Sequence, residues 1–562
     1  MNLEKIRKKI KKKVGIDVKV SEELHAIKLE GNAKEWEQVV KAGYIAADSK
    51  CKGVINNILV DTIDDSISKP NFYNEELDQE ECDVLIIGAG IIGCSIAREL
   101  SKYKLNIILV EKEHDVAMHA SSRNDGMIHP GFAPKINSLK SKMNLRGNYL
   151  YNKISEDLDV EMNKTGSLIL FDSYKTLPLS LIFSIKCKKI NLESKTLLRK
   201  KLLELEPNLA EKVKWGYYLP SAKVMSPYLM TVAYAENAVN NGIKLYLDTC
   251  VMNVVRKNKE ITHVITNQGE IKTKVVINAA GTSADIIADM AGDRFYTIHP
   301  RKGEIALADK KVGKYFNRIA GMPEISLKSK SKGGGLIKTV AGNILIGPNA
   351  FEVQKKEDYT TSNKSLKEMI NDRLEIIKSV HQRDVITYFA GTRAATYKEE
   401  FIIELSENLD NFIHVAGIQS PGFASAPAIA ERVENITLEV LNKSFNVEKN
   451  KNYNPIRRKN KNLNIMDKEE RDKLIHKNSD YGEIICRCEE ISKGEIIDAL
   501  NSPISVDTVD GIKRRTRAGM GRCQGGFCMP LIMEIISEYK NLKMKDVYKK
   551  NSESTIVVKE TK

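Results

Sequence analysis

The sequence lacks three features that would each indicate a particular class of protein. It contains no uninterrupted run of about eighteen apolar residues, so no membrane-spanning helix is predicted. The opening residues, MNLEKIRKKIKKKVG, have neither the apolar centre nor the small-residue cleavage site of a secretory signal. The basic residues form no patch with interleaved aromatic side chains. We therefore expect a cytoplasmic protein without a nucleic-acid partner.

The net charge of +14 comes from lysines spread along nearly the whole chain. The N-terminus is the exception, because Leu3, Ile6, Ile10 and Val14 recur there at helical spacing among Lys and Arg. Such a helix can lie on an anionic membrane surface, which would place the protein peripherally at the inner face of the membrane. Alternatively, its apolar side packs on a small domain of its own and its basic side faces water.

The nine cysteines do not suggest a disulfide framework. Five are scattered, whereas Cys486, Cys488, Cys523 and Cys528 form a C-x-C pair and a C-x4-C pair near the end of the chain. This usage suits a reducing compartment and one metal site. Four thiolates hold either tetrahedral zinc or a [2Fe-2S] cluster. The single residue between the first two cysteines argues against a zinc knuckle.

A glycine-rich turn follows the first strongly apolar stretch. The segment DVLIIGAGIIGCSIARELSKYKLNIILVEKE, residues 83–113, is typical of a strand, a tight turn, a helix and a second strand that ends in an acid. Gly88, Gly90 and Gly93 supply the GxGxxG pattern, in which pyrophosphate approaches the backbone at a helix N-terminus. Glu111 is placed to bond ribose hydroxyls. The pattern predicts a dinucleotide site.

Four further segments resemble the D-amino-acid-oxidase superfamily of flavoproteins. They are HASSRNDGMIHPGF (119–132), LMTVAYAENAVNNGIKLYLDTCVMNVV (229–255), EIKTKVVINAAGTSADIIADMAG (270–292) and FIHVAGIQSPGFASAPAIAERV (412–433). The resemblance implies FAD, with the last segment placing a helix N-terminus beside the flavin ring. It implies these FAD-binding residues: Gly88, Gly90, Gly93, Glu111, Ser122, Arg123, Asn124, Val251, Gly281, Gly417 and Gly422.

Within that superfamily the chain looks most similar to the large subunits of anaerobic glycerol-3-phosphate dehydrogenases and to L-2-hydroxyglutarate dehydrogenases. Such enzymes remove a hydride from a carbinol carbon while a base takes the hydroxyl proton and cations hold an anionic tail. In FAGTRAATYKEEFIIE, Arg393 corresponds to the substrate-facing arginine of the family. His129 is the candidate base, and Arg301 with Lys302 are further candidate cations.

One segment departs from the pattern of these relatives. In GGGLIKTVAGNILIGPNA, residues 333–350, Lys338 and Ala341 replace the proline and histidine of the usual Pro-Thr-Val-His-Gly-Asn. Lys338 would then supply a cation, or the pocket would serve a different anionic substrate. Glycerol 3-phosphate is the first expected substrate. The alternatives are L-2-hydroxyglutarate or another 2-hydroxy, amino or opine acid, and a non-catalytic electron-transfer subunit.

The cysteine segment, IICRCEEISKGEIIDAL followed by GIKRRTRAGMGRCQGGFC, resembles the [2Fe-2S] domain of bacterioferritin-associated ferredoxins. The resemblance implies a cluster held by all four clustered cysteines, with positive charge near it from Arg514, Arg515, Arg517 and Arg522. A one-electron cluster offers electrons a stepwise exit from a flavin. The expected partner is a second flavoprotein or an iron–sulphur acceptor subunit.

The predicted fold class is α/β, with a Rossmann-like FAD-binding domain interleaved with an α+β substrate domain. The predicted layout is a small αβ module similar to BON domains (1–64), a linker (65–81), the oxidoreductase domain (82–445), a second linker (446–480), a helical [2Fe-2S] domain (481–545) and a tail (546–562). The FAD part is expected at 82–135, 224–296 and 385–445, and the substrate part at 136–223 and 297–384.

Overall fold

A computed structural model describes residues 2–60, 67–323 and 334–559. The N-terminal module, residues 2–60, contains α1 (Leu3–Val14), β1 (Lys19–Glu23), β2 (Ala26–Asn32), α2 (Trp36–Ala47) and β3 (Val54–Leu59). Its sheet has the order β1-β2-β3, with β2 and β3 parallel and joined through α2. Ile6 and Ile10 of the basic helix are buried in the module's own core, so the apolar side of α1 packs inside the module.

The central region alternates between two large sheets along the chain, and three of its strands form a small third sheet. Its strands are β4 (Glu80–Ile87), β5 (Ile107–Val110), β6 (Met127–Ile128), β7 (Met162–Asn163), β8 (Ser167–Phe171), β9 (Lys195–Leu198), β10 (Trp215–Leu219), β11 (Lys223–Met225), β12 (Lys244–Tyr246), β13 (Val251–Lys257), β14 (Glu260–Thr266), β15 (Gly269–Asn278), β16 (Ile298–Ala308), β17 (Ile319–Gly321), β18 (Gly335–Lys338), β19 (Ile344–Gly347), β20 (Phe351–Glu352), β21 (Val385–Thr396), β22 (Ile402–Leu405) and β23 (Phe412–Ala416). Its helices are α3 (Ile91–Leu100), α4 (Leu139–Asp157), α5 (Leu179–Lys189), α6 (Arg199–Leu205), α7 (Pro227–Asn240), α8 (Ala284–Met290), α9 (Asn363–Leu374) and α10 (Gly422–Leu441). The small third sheet has the order β6-β11-β7.

The first of these sheets is built around parallel strands. The order is β12-β5-β4-β15-β14-β13, and β23 adds in parallel to β15 while β22 extends it. Strand β5 and the second halves of β4 and β15 are apolar and buried because helices cover the sheet there, and α3, α7 and α10 share one buried cluster with them. The glycine turn therefore lies at the carboxyl end of a central parallel strand, where open α/β sheets bind their ligands.

The second sheet is largely antiparallel and has nine strands. Its order is β20-β16-β19-β18-β17-β8-β10-β9, with β21 pairing along almost the whole length of β16. Helix α9 covers β19 and β16 through Leu366, Met369 and Ile370. The long β16–β21 ribbon carries the candidate cations Arg301, Lys302 and Arg393.

The C-terminal domain contains α11 (Lys468–Lys477), β24 (Ile484–Cys486), β25 (Ile491–Ser492), α12 (Lys493–Leu500), α13 (Val509–Thr516) and α14 (Met529–Lys540). The segment before it, expected to be a linker, is fastened to the central region by an ion pair from Arg457 to Glu236 at 2.7 Å. The expected tail also packs, because Val547 is buried in the core of this domain.

The predicted fold class is confirmed. The structure has the α/β sheet that carries the glycine turn, the interleaved second sheet and the small C-terminal domain. Among the described helices, none combines the length and the apolar character needed to cross a membrane.

Candidate flavin and substrate site

A cavity of about 1210 Å³ lies between the two sheets of the central region and the N-terminal module. Most of the residues predicted to bind FAD line it. These are Gly88, Gly90, Glu111, Arg123, Asn124, Val251, Gly281 and Gly422. The N-terminus of α10 and one face of the β16–β21 ribbon also line the cavity.

The glycine turn needs its glycines for two different reasons. Gly88 has a φ of +100°, which side chains other than glycine rarely adopt. Gly93 does not line the cavity; a Cβ there would lie 1.9 Å from the carbonyl oxygen of Gly88. The two positions together let α3 begin directly against the strand end, with its N-terminus open to the cavity.

Glu111 is buried at the end of β5 and faces the glycine turn. Its Oε2 accepts a hydrogen bond of 2.7 Å from the amide of Ala89, and Oε1 accepts one of 3.1 Å from the amide of Glu113. Burial raises the pKa of this carboxyl, although the nearby His119 opposes the shift. The carboxylate thus braces the turn and lines the cavity at once.

Two predicted FAD-binding residues lie beside the cavity instead of lining it. Ser122 donates to the carbonyl of His119, and it is the preceding Ser121 that accepts a 2.8 Å hydrogen bond from Ile91 at the start of α3. Gly417 has a φ of +67° and packs on Thr396 and the carbonyl of Glu400. Two serines stand side by side in the sequence, and the sequence does not show which of their hydroxyls bonds the start of α3.

His129 is contacted both at its backbone carbonyl and at its imidazole ring. Its carbonyl accepts hydrogen bonds from Asn144 at 2.9 Å and Asn148 at 3.0 Å, and its Nε2 is 3.5 Å from Oγ of Ser420. Ser420 directly precedes Pro421 and α10, whose N-terminus carries the positive end of the helix dipole into the same cavity. The structure therefore brings the candidate base and the flavin-side helix together.

Two arginines face each other across the β16–β21 ribbon. Arg301 and Arg393 are direct cross-strand partners, an arrangement that is unfavourable for like charges unless each is compensated. Arg301 is compensated twice, by Glu352 at 2.9 Å and by Glu399 at 2.6 Å. Although burial opposes the shift, Arg301 lowers the pKa of Glu399 to about 2.

Arg393 has no such partner. In the described part of the chain its guanidinium forms no ion pair, and its one hydrogen bond runs from Nη2 to the carbonyl of Asn349 at 3.4 Å. Burial lowers its pKa and the nearby Arg301 adds to this shift, whereas Asp125 and Glu352 oppose it. Space for the side chain comes from Gly303, where a Cβ would lie 2.6 Å from Nη2. Arg393 is therefore a partly buried cation at the cavity, and no described carboxylate forms an ion pair with it.

The other candidate cations are placed differently. Lys302 is buried and its Nζ is engaged by Asp358 at 2.7 Å. Lys338 is not among the described residues that line the cavity, and its Nζ lies 3.4 Å from Asn317. Ala341 lies in the β18–β19 turn beyond Lys338, where Gly342 packs on Gly313. The departure from the usual pattern is therefore at a hairpin tip, while Pro348 and Ala350 of the same segment do line the cavity.

The four clustered cysteines come together in the C-terminal domain. Sγ of Cys488 lies 3.7 Å from Sγ of Cys523, and the amide of Gly519 donates to Sγ of Cys486 at 3.5 Å. Hydrogen bonding from the thiol of Cys528 lowers the pKa of Cys486. This is a set of thiolate donors that suits a metal cluster.

The arginines near the cysteines mainly join domains. Arg515 forms two hydrogen bonds of 2.9 Å to the fully buried Asp115, and Arg514 adds a third at 3.0 Å. Arg517 pairs with Glu489, and Arg522 pairs with Asp309, which directly follows β16 of the second sheet. Arg514 and Arg515 therefore dock the C-terminal domain on the central region, and the effect of these charges on a cluster stays a prediction.

Comparison with known proteins defines the class. Residues 83–435 match the family model described as FAD dependent oxidoreductase, and residues 484–538 match the BFD-like [2Fe-2S] binding domain. The chain belongs to the FAD-dependent oxidoreductase family, and it is a two-cofactor member that binds FAD and a [2Fe-2S] cluster.

Two similar sequences and one similar solved structure have names that refer to glycerol 3-phosphate or glycerophosphate. A glycerol 3-phosphate dehydrogenase of Caloramator mitchellensis is 38% identical over 85% of this chain and 99% of its own length. Subunit A1 of an anaerobic glycerol-3-phosphate dehydrogenase of Haloferax volcanii is 24% identical over 81% of this chain and 83% of its own. The FAD-bound L-α-glycerophosphate oxidase of Mycoplasma pneumoniae is 27% identical, with a TM-score of 0.62 over 67% of this chain and 98% of its own.

The residues present fit both groups. The turn at Gly88 leaves no room for a side chain, and Glu111 lies at the end of the neighbouring strand. The cavity extends from there to the N-terminus of α10. When bound, FAD supplies a two-electron acceptor for a hydride. The four thiols supply the ligand set of a [2Fe-2S] cluster, which accepts electrons one at a time.

The sequence analysis did not identify the residues that neutralise Arg301. Glu352 and Glu399 compensate Arg301, and Gln419 and Tyr44 complete its hydrogen bonds. No local signal marks them, because they come from four separate segments that meet only in the folded chain. Glu399 and Gln419 lie within segments that resemble the family, whereas Tyr44 and Glu352 do not.

Proposed function

We propose that this protein oxidises glycerol 3-phosphate to dihydroxyacetone phosphate and passes the electrons to a separate acceptor protein. The observation that carries the proposal is that Arg393 faces the cavity and forms no ion pair with any residue that the structure describes, while its cross-strand partner Arg301 forms two. An arginine in this state binds a phosphate well, because its planar fork can donate two parallel hydrogen bonds. The 38% identical relative named for this activity supports the proposal.

In this proposal Arg393 holds the phosphate and His129 accepts the proton of the hydroxyl on the carbon that is oxidised. Asn144 and Asn148 hold the backbone of His129, so the imidazole is carried on a fixed loop. The N-terminus of α10 faces the same space and stabilises negative charge there. These residues orient the carbinol carbon and keep its proton acceptor in place.

The electron exit is proposed to lie at the loop that holds Cys523 and Cys528. Phe527 is 84% exposed between these two cysteines, and Cys523 is itself partly exposed. The acceptor in this proposal is a second flavoprotein or an iron–sulphur subunit. The Haloferax volcanii relative, which is named as a subunit, supports an assembly of more than one chain.

The test is an anaerobic reduction of the holoprotein. Glycerol 3-phosphate should bleach the flavin absorbance, whereas L-2-hydroxyglutarate and amino acids should not. Arg393→Ala should lower kcat/KM for glycerol 3-phosphate by about 100-fold or more, because truncating one partner of a buried charged contact costs about 2–5 kcal/mol. Arg383→Ala, which removes an exposed arginine outside the cavity lining, is the matched control. Bleaching by 2-hydroxyglutarate in preference to glycerol 3-phosphate would overturn the assignment.

A further inference from the structure

The N-terminal module forms part of the cavity wall. Trp36, Val39 and residues 56–60 line the same space as the flavin turn and the β16–β21 ribbon. The module precedes the region 83–435 that matches the oxidoreductase family model, so the family pattern does not account for this wall. The module therefore adds residues of its own to the site.

The junction between the module and the central region is close and polar. Gly43 packs on the ring of Tyr397, where a Cβ would approach to 2.3 Å, and Gly53 packs equally closely on the carbonyl of Phe295. The side-chain amide of Asn56 donates to the hydroxyl of Tyr397 at 2.9 Å. These contacts leave little freedom for the module to shift against the sheet.

Tyr44 reaches from this junction to the arginine pair. Its hydroxyl donates to Oε1 of Glu399 at 2.6 Å and accepts from Nη2 of Arg301 at 2.7 Å. Its ring packs edge-on against His299 and Tyr397, each with centroids 5.4 Å apart. Together with Glu352, Glu399 and Gln419, it gives every N–H of Arg301 an acceptor.

Tyr44 acts on the site through the charged groups around Arg301 and Arg393. Arg301 is held by two carboxylates, and Glu399 lines the cavity together with Arg393. A Glu399 carboxylate that is less tightly held can turn toward the uncompensated Arg393, where it competes with a bound anion. Glu399 also accepts from the amide of Gln419, the neighbour of Ser420 in the loop that faces His129.

We propose that Tyr44 is a positioning residue of the substrate site, through which the N-terminal module holds Glu399 on Arg301 and keeps Arg393 available to the anion. The inference rests on the proposed function, because it takes Arg393 as the anion-binding group. It assigns the module a part in substrate affinity that the oxidoreductase domain alone does not supply.

The experiment compares two hydroxyl deletions at the same junction. Tyr44→Phe keeps the ring and removes the hydroxyl that contacts Arg301 and Glu399. Tyr397→Phe removes the hydroxyl that accepts from Asn56 and does not contact Arg301, so it is the matched control for a purely structural effect. For each full-length holoprotein we would measure FAD content, Tm, kcat and KM for glycerol 3-phosphate, and the Kd of inorganic phosphate from the change in flavin absorbance.

Tyr44→Phe should raise KM and the phosphate Kd by about ten-fold, the lower end of the scale for one hydrogen bond to a charged group, with kcat nearly unchanged. Tyr397→Phe should leave KM and Kd at the wild-type values. Adding Glu399→Gln to Tyr44→Phe should restore the affinity, because the competing negative charge is removed. Equal KM and Kd values for the two single variants, or no rescue in the double variant, would overturn the inference.

The phosphate measurement separates this inference from the proposed function. If glycerol 3-phosphate does not reduce the wild-type flavin, the proposed substrate is wrong, yet a weaker phosphate Kd in Tyr44→Phe alone still supports the positioning role. If wild-type protein reacts with glycerol 3-phosphate and Tyr44→Phe behaves like Tyr397→Phe, the positioning role is wrong and the function stands. A wild-type protein that binds no phosphate contradicts both.

Discussion

The docking of the iron–sulphur domain should depend on one buried carboxylate. Asp115 is fully buried and receives hydrogen bonds from both Arg514 and Arg515. It lies on the loop that also braces the flavin turn, since the amide of Ala117 donates to the carbonyl of Ala89 at 3.1 Å. We predict that Asp115→Asn loosens the C-terminal domain from the flavin-binding sheet.

The magnitude follows from the burial of the charges. Asparagine keeps the shape and one acceptor oxygen but removes the carboxylate that forms the ion pair with Arg515, whose side chain is 3% exposed. Breaking a buried ion pair from one side costs about 3–5 kcal/mol. In the wild type, burial raises the pKa of Asp115, but Arg515 and Arg514 outweigh it and hold the value at about 2, below the ordinary 3.8. A depressed carboxyl pKa stabilises the fold above about pH 4, and this contribution of about 2 kcal/mol is lost between about pH 4 and pH 2.

The assay is denaturant unfolding followed by the visible circular dichroism of the cluster, together with the rate of cluster reduction after the flavin is reduced. Asp115→Asn should lower the unfolding midpoint of the cluster signal and slow the reduction of the cluster. Glu448→Gln, which removes the exposed partner of Lys104, should change neither. A variant at Asp115 that matches the wild type in both measurements would refute the reasoning.

Two further predictions concern the cofactors. Gly93→Ala should abolish stable FAD binding, because the new Cβ would meet the carbonyl of Gly88 at 1.9 Å; retention of flavin absorbance through gel filtration would contradict this. Cys488→Ser should remove the cluster signal in visible circular dichroism and stop electron delivery to an external acceptor, while substrate still bleaches the flavin. The control Cys51→Ser lies in the N-terminal module and should leave the cluster intact, and a persistent cluster in Cys488→Ser would show that another residue is the ligand.

The sequence by itself was enough to predict the flavin-binding turn and the cysteine cluster. Gly88, Gly93 and Glu111 belong to one strand–turn–helix–strand unit, and Cys486 and Cys488 form a single short loop. Such features depend on backbone conformation and side-chain type over a few neighbouring residues, so their spacing is visible in the sequence. The α/β class follows from the same local patterns and is confirmed.

The tertiary structure alone decided which charges are free. The sequence offered both Arg301 and Arg393 as candidate cations, but it did not show that Glu352, Glu399 and Tyr44, from distant parts of the chain, surround Arg301. The same holds for Asp115, whose partners lie in another domain. The availability of a charge depends on what surrounds it in space and on how much water it keeps, and long-range packing sets both.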